Sequence, residues 1–452
     1  MRNLILAAFL IAASPTAALA QAAPAPAAAP PSPGVRAMAA GYKALTVCSA
    51  LKTAEAAGGA RTLESIEANE LTGIYPELDP LVREMEVEVG PDSVIVFWDE
   101  VMPPRVAIFG PAKGCAIMPV GWVGDSLEVR WNRGGPDAPM QAGEPAGNAA
   151  LLNEAVEQAF EGGYGEGANT TAVLVLQNDR VVAEEYAEGF GPDTPQRTWS
   201  VAKSLAGTVI GAAVQRGEAD VNRPAAITDW SRPGDPRAAI TLDQLMRMAS
   251  GLTSDTAGNR TDALYFGGVG VDEQATTWPL ITAPGTRFRY ANNDILLAIL
   301  AIAPTFEAHP PAELFRRLGM NDTFAETDWR GNYMLSSQVW STARDLARFG
   351  RLYLNDGVVD GQRVLPEGWR EQVSRPSGPQ PPSGEQGYGA TFWLFNRSEG
   401  IPADAISANG NRGQYVIIVP SRNIVIVRRG EDPAGKPFNF IPFTRDVLAA
   451  LD

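Results

Sequence analysis

Apolar residues recur along this chain with two different periods, and the switches between them mark its elements. From Thr171 to Gln177 and from Val181 to Tyr186 apolar and polar positions alternate on either side of Asn178-Asp179, which predicts a β-hairpin. A second hairpin is predicted near the far end, where Tyr415 to Val419 and Ile424 to Val427 flank Pro420-Ser421-Arg422-Asn423 and lead to a terminal helix around Phe443 to Leu451. Helical spacing holds instead from Asn148 to Phe160, from Asp294 to Ala303, and after Ser200, where Leu205, Val209, Ile210, Ala213 and Val214 share a face. Strands at both ends with helices between them predict an α/β or α+β fold, one sheet closed by distant segments.

The N-terminal part is organised differently. Arg2, the apolar run from Leu4 to Ala13 and Ala18-Leu19-Ala20 read as a signal peptide over residues 1–20, so cleavage after Ala20 and a periplasmic or secreted protein are expected. Residues 21–36 form an Ala/Pro-rich tether. No lipobox cysteine follows, and no later stretch is long and uncharged enough to span a bilayer, so no membrane anchor is expected. Residues 37–135 read as a small accessory region with a helix-like stretch and two β-like runs, Ser93 to Trp98 and Val106 to Phe109. Gly134-Gly135-Pro136-Asp137 marks a boundary before the main domain at 148–452. Cys48 and Cys115 are the only cysteines. An even pair in an oxidising compartment predicts a disulfide, and two cysteines without histidines make a poor zinc site.

The formal net charge of −15 becomes about −16 once Arg2 leaves with the leader. No basic face is visible, which excludes a nucleic-acid partner.

The chemistry starts at Ser200-Val201-Ala202-Lys203, a hydroxyl and an amine three residues apart at the head of an apolar helix. Positions i and i+3 share a face, so a neutral Lys203 can take the Ser200 proton. A second copy, Ser49-Ala50-Leu51-Lys52, shows that the motif alone is weak. It runs into Ala56-Ala57-Gly58-Gly59 and reads as a solvated helical turn. Lysine is scarce here, five residues against 32 arginines in a combined total of 37. Arginine does not release its proton, so a lysine at the start of a buried helix points to a labile proton.

Further along, Tyr290-Ala291-Asn292 can place two side chains on one side of an extended segment. Alone, Tyr290 reads as a packed aromatic, and Asn292 and Asn293 as helix caps. Gly410-Asn411-Arg412-Gly413-Gln414 enters a strand. Together, in this order, the three elements resemble the serine β-lactamase and penicillin-binding-protein family over roughly residues 148 to 452, in particular its class C β-lactamase, DD-peptidase and 6-aminohexanoate-dimer hydrolase branch. Met248-Ala249-Ser250-Gly251-Leu252 and Ser341-Thr342-Ala343-Arg344-Asp345-Leu346 resemble framework segments of the same family.

The resemblance implies a β-lactamase/transpeptidase-like antiparallel sheet flanked by helices, with an all-helical subdomain. It implies Ser200 as nucleophile, Lys203 and Tyr290 as acid/base groups, and Asn292, Asn411, Arg412, Gly413 and Gln414 as substrate-binding residues. In that picture Gly413 admits the substrate, and the Gln414 N–H joins the Ser200 N–H as an oxyanion hole. The family commonly carries lysine or histidine in the third element; here Arg412 can supply charge and Asn411 cannot, and which of them faces the cleft is open.

Other chemistries lack their residues. The one histidine, His309, lies in Glu307-Ala308-His309-Pro310-Pro311 and reads as a surface residue. There is no Gly-x-Ser-x-Gly elbow, no Gly-rich phosphate loop and no histidine-based metal cluster. The expectation is an exported serine hydrolase without metal or cofactor. Its expected partner is a small amide or ester, β-lactams and peptidoglycan-derived peptides included. The alternatives are a DD-carboxypeptidase or β-lactamase proper, or a penicillin-binding-like module without turnover.

Overall fold

The computed structural model describes residues 30–124, 139–253 and 261–452. The leader, most of the tether and the Gly134–Asp137 boundary lie outside the described residues. Helix α1 spans Pro33–Ala57 and is followed by a four-stranded antiparallel sheet, β1 (Val87–Val89), β2 (Ser93–Val96), β3 (Arg105–Gly110) and β4 (Gly114–Ile117). The two runs read from the sequence are β2 and β3. The short flanking strands had too few alternating positions to be seen. Helix α1 begins inside the stretch read as tether, with Pro33 at its first position, where a missing N–H costs nothing.

The larger part begins with α2 (Ala149–Phe160), capped by Asn148, and the hairpin β5 (Thr170–Gln177) and β6 (Arg180–Tyr186). Asn178 and Asp179 both take positive φ, as a two-residue hairpin turn with matching twist requires. Helix α3 (Val201–Gln215), α4 (Asn292–Ala301) and α5 (Ala343–Leu354) come next in turn. The chain then returns to the sheet with β7 (Gly387–Tyr388), β8 (Trp393–Leu394), β9 (Ile406–Gly410), β10 (Gln414–Val419) and β11 (Ile424–Gly430), and ends in α6 (Phe440–Ala450). The seven-stranded antiparallel sheet runs β7-β8-β9-β10-β11-β5-β6, so the first hairpin pairs with the last strand as predicted.

Unbroken apolar runs in the central strands follow from burial on both faces. Leu174 and Leu176 of β5, Val416 and Ile418 of β10, and Val425 and Val427 of β11 enter the core shared with α3 and α5. Their neighbours Val173, Val175, Ile417, Ile424 and Ile426 enter a second core against α2 and α6. Helix α3 is mostly apolar and is buried from Val201 to Ala213, Lys203, Ser204 and Thr208 included, so it runs through the protein's interior. Short helices between α3 and α5, among them Leu242–Met246 and Pro311–Arg317, pack with α4 beside it. Among the described residues no helix is long and apolar enough to cross a membrane.

Residues Pro33–Asp452 form one compact unit, and α1 belongs to the same core as α3. A Cβ on Gly41 would fall 2.0 Å from the Phe266 carbonyl oxygen, so glycine lets α1 seat against the segment beside the helical layer. Cys48 on α1 and Cys115 on β4 form a disulfide. Ser49 is the correction: it is fully buried within a 25-residue helix, and its hydroxyl donates to Glu326 Oε1 at 2.5 Å, while Lys52 pairs with Glu55. The residue that covers Ser49 lies 277 positions away, which local sequence does not reveal.

Glu326 Oε1 also accepts the Cys115 N–H at 3.0 Å, so one buried carboxyl joins α1 and the disulfide to a segment about 200 residues further along the chain. Burial pushes this carboxyl up from 4.5 to about 8, against the pull of Ser49 and the Cys115 N–H. A carboxyl raised in the folded state gives stability that is complete below about pH 4.5 and is lost as pH rises through about 8. The melting temperature is therefore expected to fall across that window, and Glu326→Gln, which cannot ionise, should flatten the fall. Parallel melting curves against pH for parent and variant would remove Glu326 as the cause.

Candidate active site

Ser200 sits where a short strand, Gln196–Arg197, turns sharply into α3. Trp199 takes φ +49°, a left-handed conformation disfavoured for a bulky residue, and this turn presents Ser200 at the helix head. One turn on, Lys203 Nζ is hydrogen-bonded to Ser200 Oγ at 2.8 Å, Asn292 Oδ1 at 2.6 Å and the Ser336 carbonyl at 2.8 Å. The i, i+3 geometry read from the sequence is thus present. Lys203 is 1% exposed, and burial first, with the nearby Arg197 charge second, holds its amine well below the ordinary lysine range.

Arg197 was not anticipated, although it lies only three residues before Ser200. Its guanidinium stacks 3.7 Å from the Trp199 ring centroid and donates to Ser337 Oγ at 3.0 Å, so it supports the strained turn as well as the field at Lys203.

Tyr290 lines the cleft with Ser200, and its ring lies 5.0 Å from Lys203 Nζ and packs against Tyr388 and Trp393. Burial pushes its phenol up to about 12, so it is protonated at neutral pH. Asn292 does not cap α4. The capping position is Ala291, and Asn292 occupies the first helical turn, with its amide oxygen on Lys203 and its amide N–H₂ toward Thr261 at 3.5 Å. Asn293 turns away and donates to the Ala275 carbonyl. The two side chains Tyr290 and Asn292 share the cleft because the extended residue between them precedes a helix start, not because all three are extended.

The third element divides at its middle. Asn411 lines the cleft with Ser200. Arg412 takes φ +56°, which carries its side chain away: Nε meets Glu431 at 2.7 Å, and the remaining donors reach the carbonyls of Asn69, Thr72 and Gly73. Gly413 makes room for Arg428, since a Cβ there would overlap the guanidinium at 1.7 Å. Gln414 is fully buried, with Oε1 accepting from Arg429 at 2.7 Å and Nε2 donating to the Arg412 and Gly430 carbonyls. The segment beside the nucleophile is instead the end of β9. A Cβ on Gly410 would lie 2.4 Å from the Thr198 carbonyl oxygen and 3.2 Å from the Ser200 nitrogen, so only glycine permits this approach.

The same strand brings in Asn409, whose amide donates to Gln386 Oε1 at 2.8 Å, while Gln386 donates to Ser407 Oγ at 3.0 Å. Asn409 could have been found from the alternation Ile406-Ser407-Ala408-Asn409; nothing local marks Gln386. Tyr265, also unanticipated, meets Ser336 through its hydroxyl at 2.5 Å, tying a further tyrosine to the peptide that holds Lys203. His309 lies away from the cleft between Glu218 and Glu313.

The cleft has a volume of about 450 Å³. Its walls are aromatic, with Trp199, Trp393, Tyr415 and Phe440 among them, and Asn292, Gln386, Asn409 and Asn411 line it with Ser200. Among the described residues that line it, Asp262 is the only ionisable acid and there is no arginine, lysine or histidine. A serine bonded to a neutralised amine, with a protonated phenol on the wall of the same cleft, can carry out acyl transfer.

Comparison with known proteins places the fold and the family. The chain is 29% identical over 302 residues to the 6-aminohexanoate-dimer hydrolase of Paenarthrobacter ureafaciens, covering 58% of this chain and 73% of that one. Its fold is similar to that of a provisionally named 6-aminohexanoate-dimer hydrolase from Bacillus anthracis, with TM-score 0.54 and 21% identity over 65% of this chain and 80% of the other. It is also similar to an octameric penicillin-binding protein homologue from Pyrococcus abyssi, with TM-score 0.52 and 18% identity over 66% and 76% of the two chains. The beta-lactamase family model matches residues 154–429, a span holding Ser200, Lys203, Tyr290 and β9, and the chain belongs to that family of hydrolases.

Proposed function

We propose that this protein hydrolyses small amides and esters that carry no carboxylate beside the scissile bond, through an acyl-enzyme on Ser200. The observation that carries the reading is the hydrogen-bond set of Lys203. A neutral amine has two N–H bonds and one lone pair; with Asn292 Oδ1 and the Ser336 carbonyl accepting the two N–H bonds, the lone pair is left for the Ser200 hydroxyl. Lys203 takes the proton as Ser200 Oγ bonds to the carbonyl carbon. The Ser200 N–H and the backbone at the Gly410–Asn411 corner hold the oxyanion. Tyr290 donates its proton to the leaving nitrogen or oxygen and regains one from Lys203. Water then attacks the acyl carbon, giving a proton to the same pair, and the bond to Ser200 Oγ breaks as that proton returns to Oγ, releasing the acid and restoring neutral Lys203 and protonated Tyr290.

The cleft's charge supports the substrate class. A carboxylate next to the reacting bond would meet no cation on the described walls of the cleft, and Arg412 is paired with Glu431 and bonded to the carbonyls of Asn69, Thr72 and Gly73. Asn409 Oδ1 is buried without a hydrogen-bond partner, and an amide N–H of the substrate supplies the missing donor. The relative named for the 6-aminohexanoate dimer makes amides the natural first choice. The disulfide and the leader read from the sequence support export.

The test is to incubate purified protein with nitrophenyl esters, a nitroanilide, a fluorescent penicillin and a chromogenic cephalosporin, reading labelling and turnover separately. Ester and anilide turnover are expected. Cephalosporin turnover should be lower by roughly 10- to 100-fold, the equivalent of one lost charge-assisted hydrogen bond. Cephalosporin turnover equal to or faster than ester turnover would reject the substrate class and favour a β-lactamase proper.

A further inference from the structure

The N-terminal region reaches the cleft. Tyr75 lines it together with Ser200, Tyr415 and Phe440, and no motif near Tyr75 foretold this. Its approach is fixed by the segment Asn69–Tyr75, which follows the short helix Leu63–Ala68. Arg412 Nη2 donates to the carbonyls of Asn69 at 2.7 Å and Thr72 at 2.9 Å, and Nη1 to that of Gly73 at 2.9 Å, while Glu431 balances the charge. Three backbone carbonyls on one buried guanidinium hold a loop far more tightly than packing alone. Gly73, at φ +67°, lies directly against Pro433, where a Cβ would be 2.7 Å from the ring. Behind Tyr75 the ring of Tyr42 stands edge-on at 6.3 Å, and Tyr42 is wedged at 4.6 Å against Phe266. On the main-domain side Tyr415 stacks on Phe440 at 4.3 Å. A second cavity of about 270 Å³ continues past Gly410, Asn411 and Tyr415 to Gly73 and Ile74, so the space beside Ser200 extends toward the N-terminal region.

We propose that the N-terminal region completes the cleft: Tyr75 with Tyr415 and Phe440 forms an aromatic subsite for an apolar chain or ring of the substrate, and Arg412 is the positioning residue that holds Tyr75 there. The inference rests on the Ser200 reading above. It explains what Arg412 does in place of binding a substrate carboxylate, and it makes residues 33–124 part of the specificity of the hydrolase.

Two series of esters test it, one lengthened in the acyl part from acetyl to decanoyl, the other in the leaving alcohol, each with Ser200 labelling by a fluorescent phosphonate as a separate readout. In the series that occupies the subsite, Tyr75→Ala should raise KM for the long members about tenfold, the equivalent of losing contact with roughly two methylenes, and leave kcat within about twofold. The loss on acetate esters should be clearly smaller than on the long members, and Tyr75→Phe should restore the parental length dependence. Arg412→Met should change the long-substrate KM in the same direction. Unaltered length dependence in Tyr75→Ala, or equal losses on short and long esters, overturns the subsite while leaving the nucleophile intact. A parent protein that neither turns over any ester nor is labelled at Ser200 overturns the hydrolase reading, and the subsite with it.

Discussion

Replacing Ser200 by alanine is expected to abolish turnover of every ester and amide and all covalent labelling. The reason is geometric before it is chemical: among the described residues Ser200 Oγ is the hydroxyl bonded to Lys203 Nζ, and it lines the same cleft as Tyr290. Removing a nucleophile from such a unit costs on the order of 10⁶-fold in kcat, because the remaining groups have nothing to activate. Ser49→Ala is the control that separates motif from site. Both serines begin an S-x-x-K sequence and both are largely buried, but the Ser49 hydroxyl donates to a carboxyl whose other ties are structural. Its loss should leave labelling and turnover unchanged while lowering the melting temperature, since a buried hydrogen bond to Glu326 disappears. Turnover and phosphonate labelling of the two variants decide the matter; a labelled Ser200→Ala protein would reject the assignment.

What could be read from the sequence was whatever a single element contains. Ser200 and Lys203 lie one turn apart on one helix, so their contact follows from helical geometry. The hairpin around Asn178-Asp179 follows from a turn that two positive φ values require. Tyr290 and Asn292 are separated by one extended residue, Ala291, and both line the cleft even though the helix starts at Asn292 itself. The failures lie where two distant segments meet. Arg412 looked free to bind substrate because Asn69, Thr72 and Gly73, which take its donors, are about 340 residues earlier. Ser49 looked solvated because its partner is on another element. Asn409 and Gln386 meet only after β7, β8 and β9 have paired, and Tyr75 reaches the cleft only after α1 has docked through Gly41. A single left-handed residue at Arg412 divided the third element, sending Asn411 into the cleft and the arginine out of it, and Arg-Gly carries no local sign of which residue will take that conformation.

Lys203→Arg is expected to fold and to lose acylation by roughly 10²- to 10⁴-fold, the contribution typical of a general acid/base group. The variant keeps a cation near Ser200, Asn292 and the Ser336 carbonyl, so any role that needs only positive charge survives. A proton-transfer role does not, because a guanidinium stays protonated at every working pH. The pH profile makes the distinction sharper. In the parent, kcat/KM should rise with pH as Lys203 loses its proton, and burial together with Arg197 places that rise well below the ordinary lysine range. The residual activity of Lys203→Arg should lack this limb, since no group at position 203 titrates there. Arginine is bulkier in a site that is 1% exposed, so thermal melting is measured alongside, and a variant within a few degrees of the parent locates the loss in chemistry. Acylation at close to the parental rate with the same acid limb would make Lys203 an electrostatic support. The base would then have to be Tyr290, whose phenol, raised to about 12, is poorly suited to accept a proton at neutral pH.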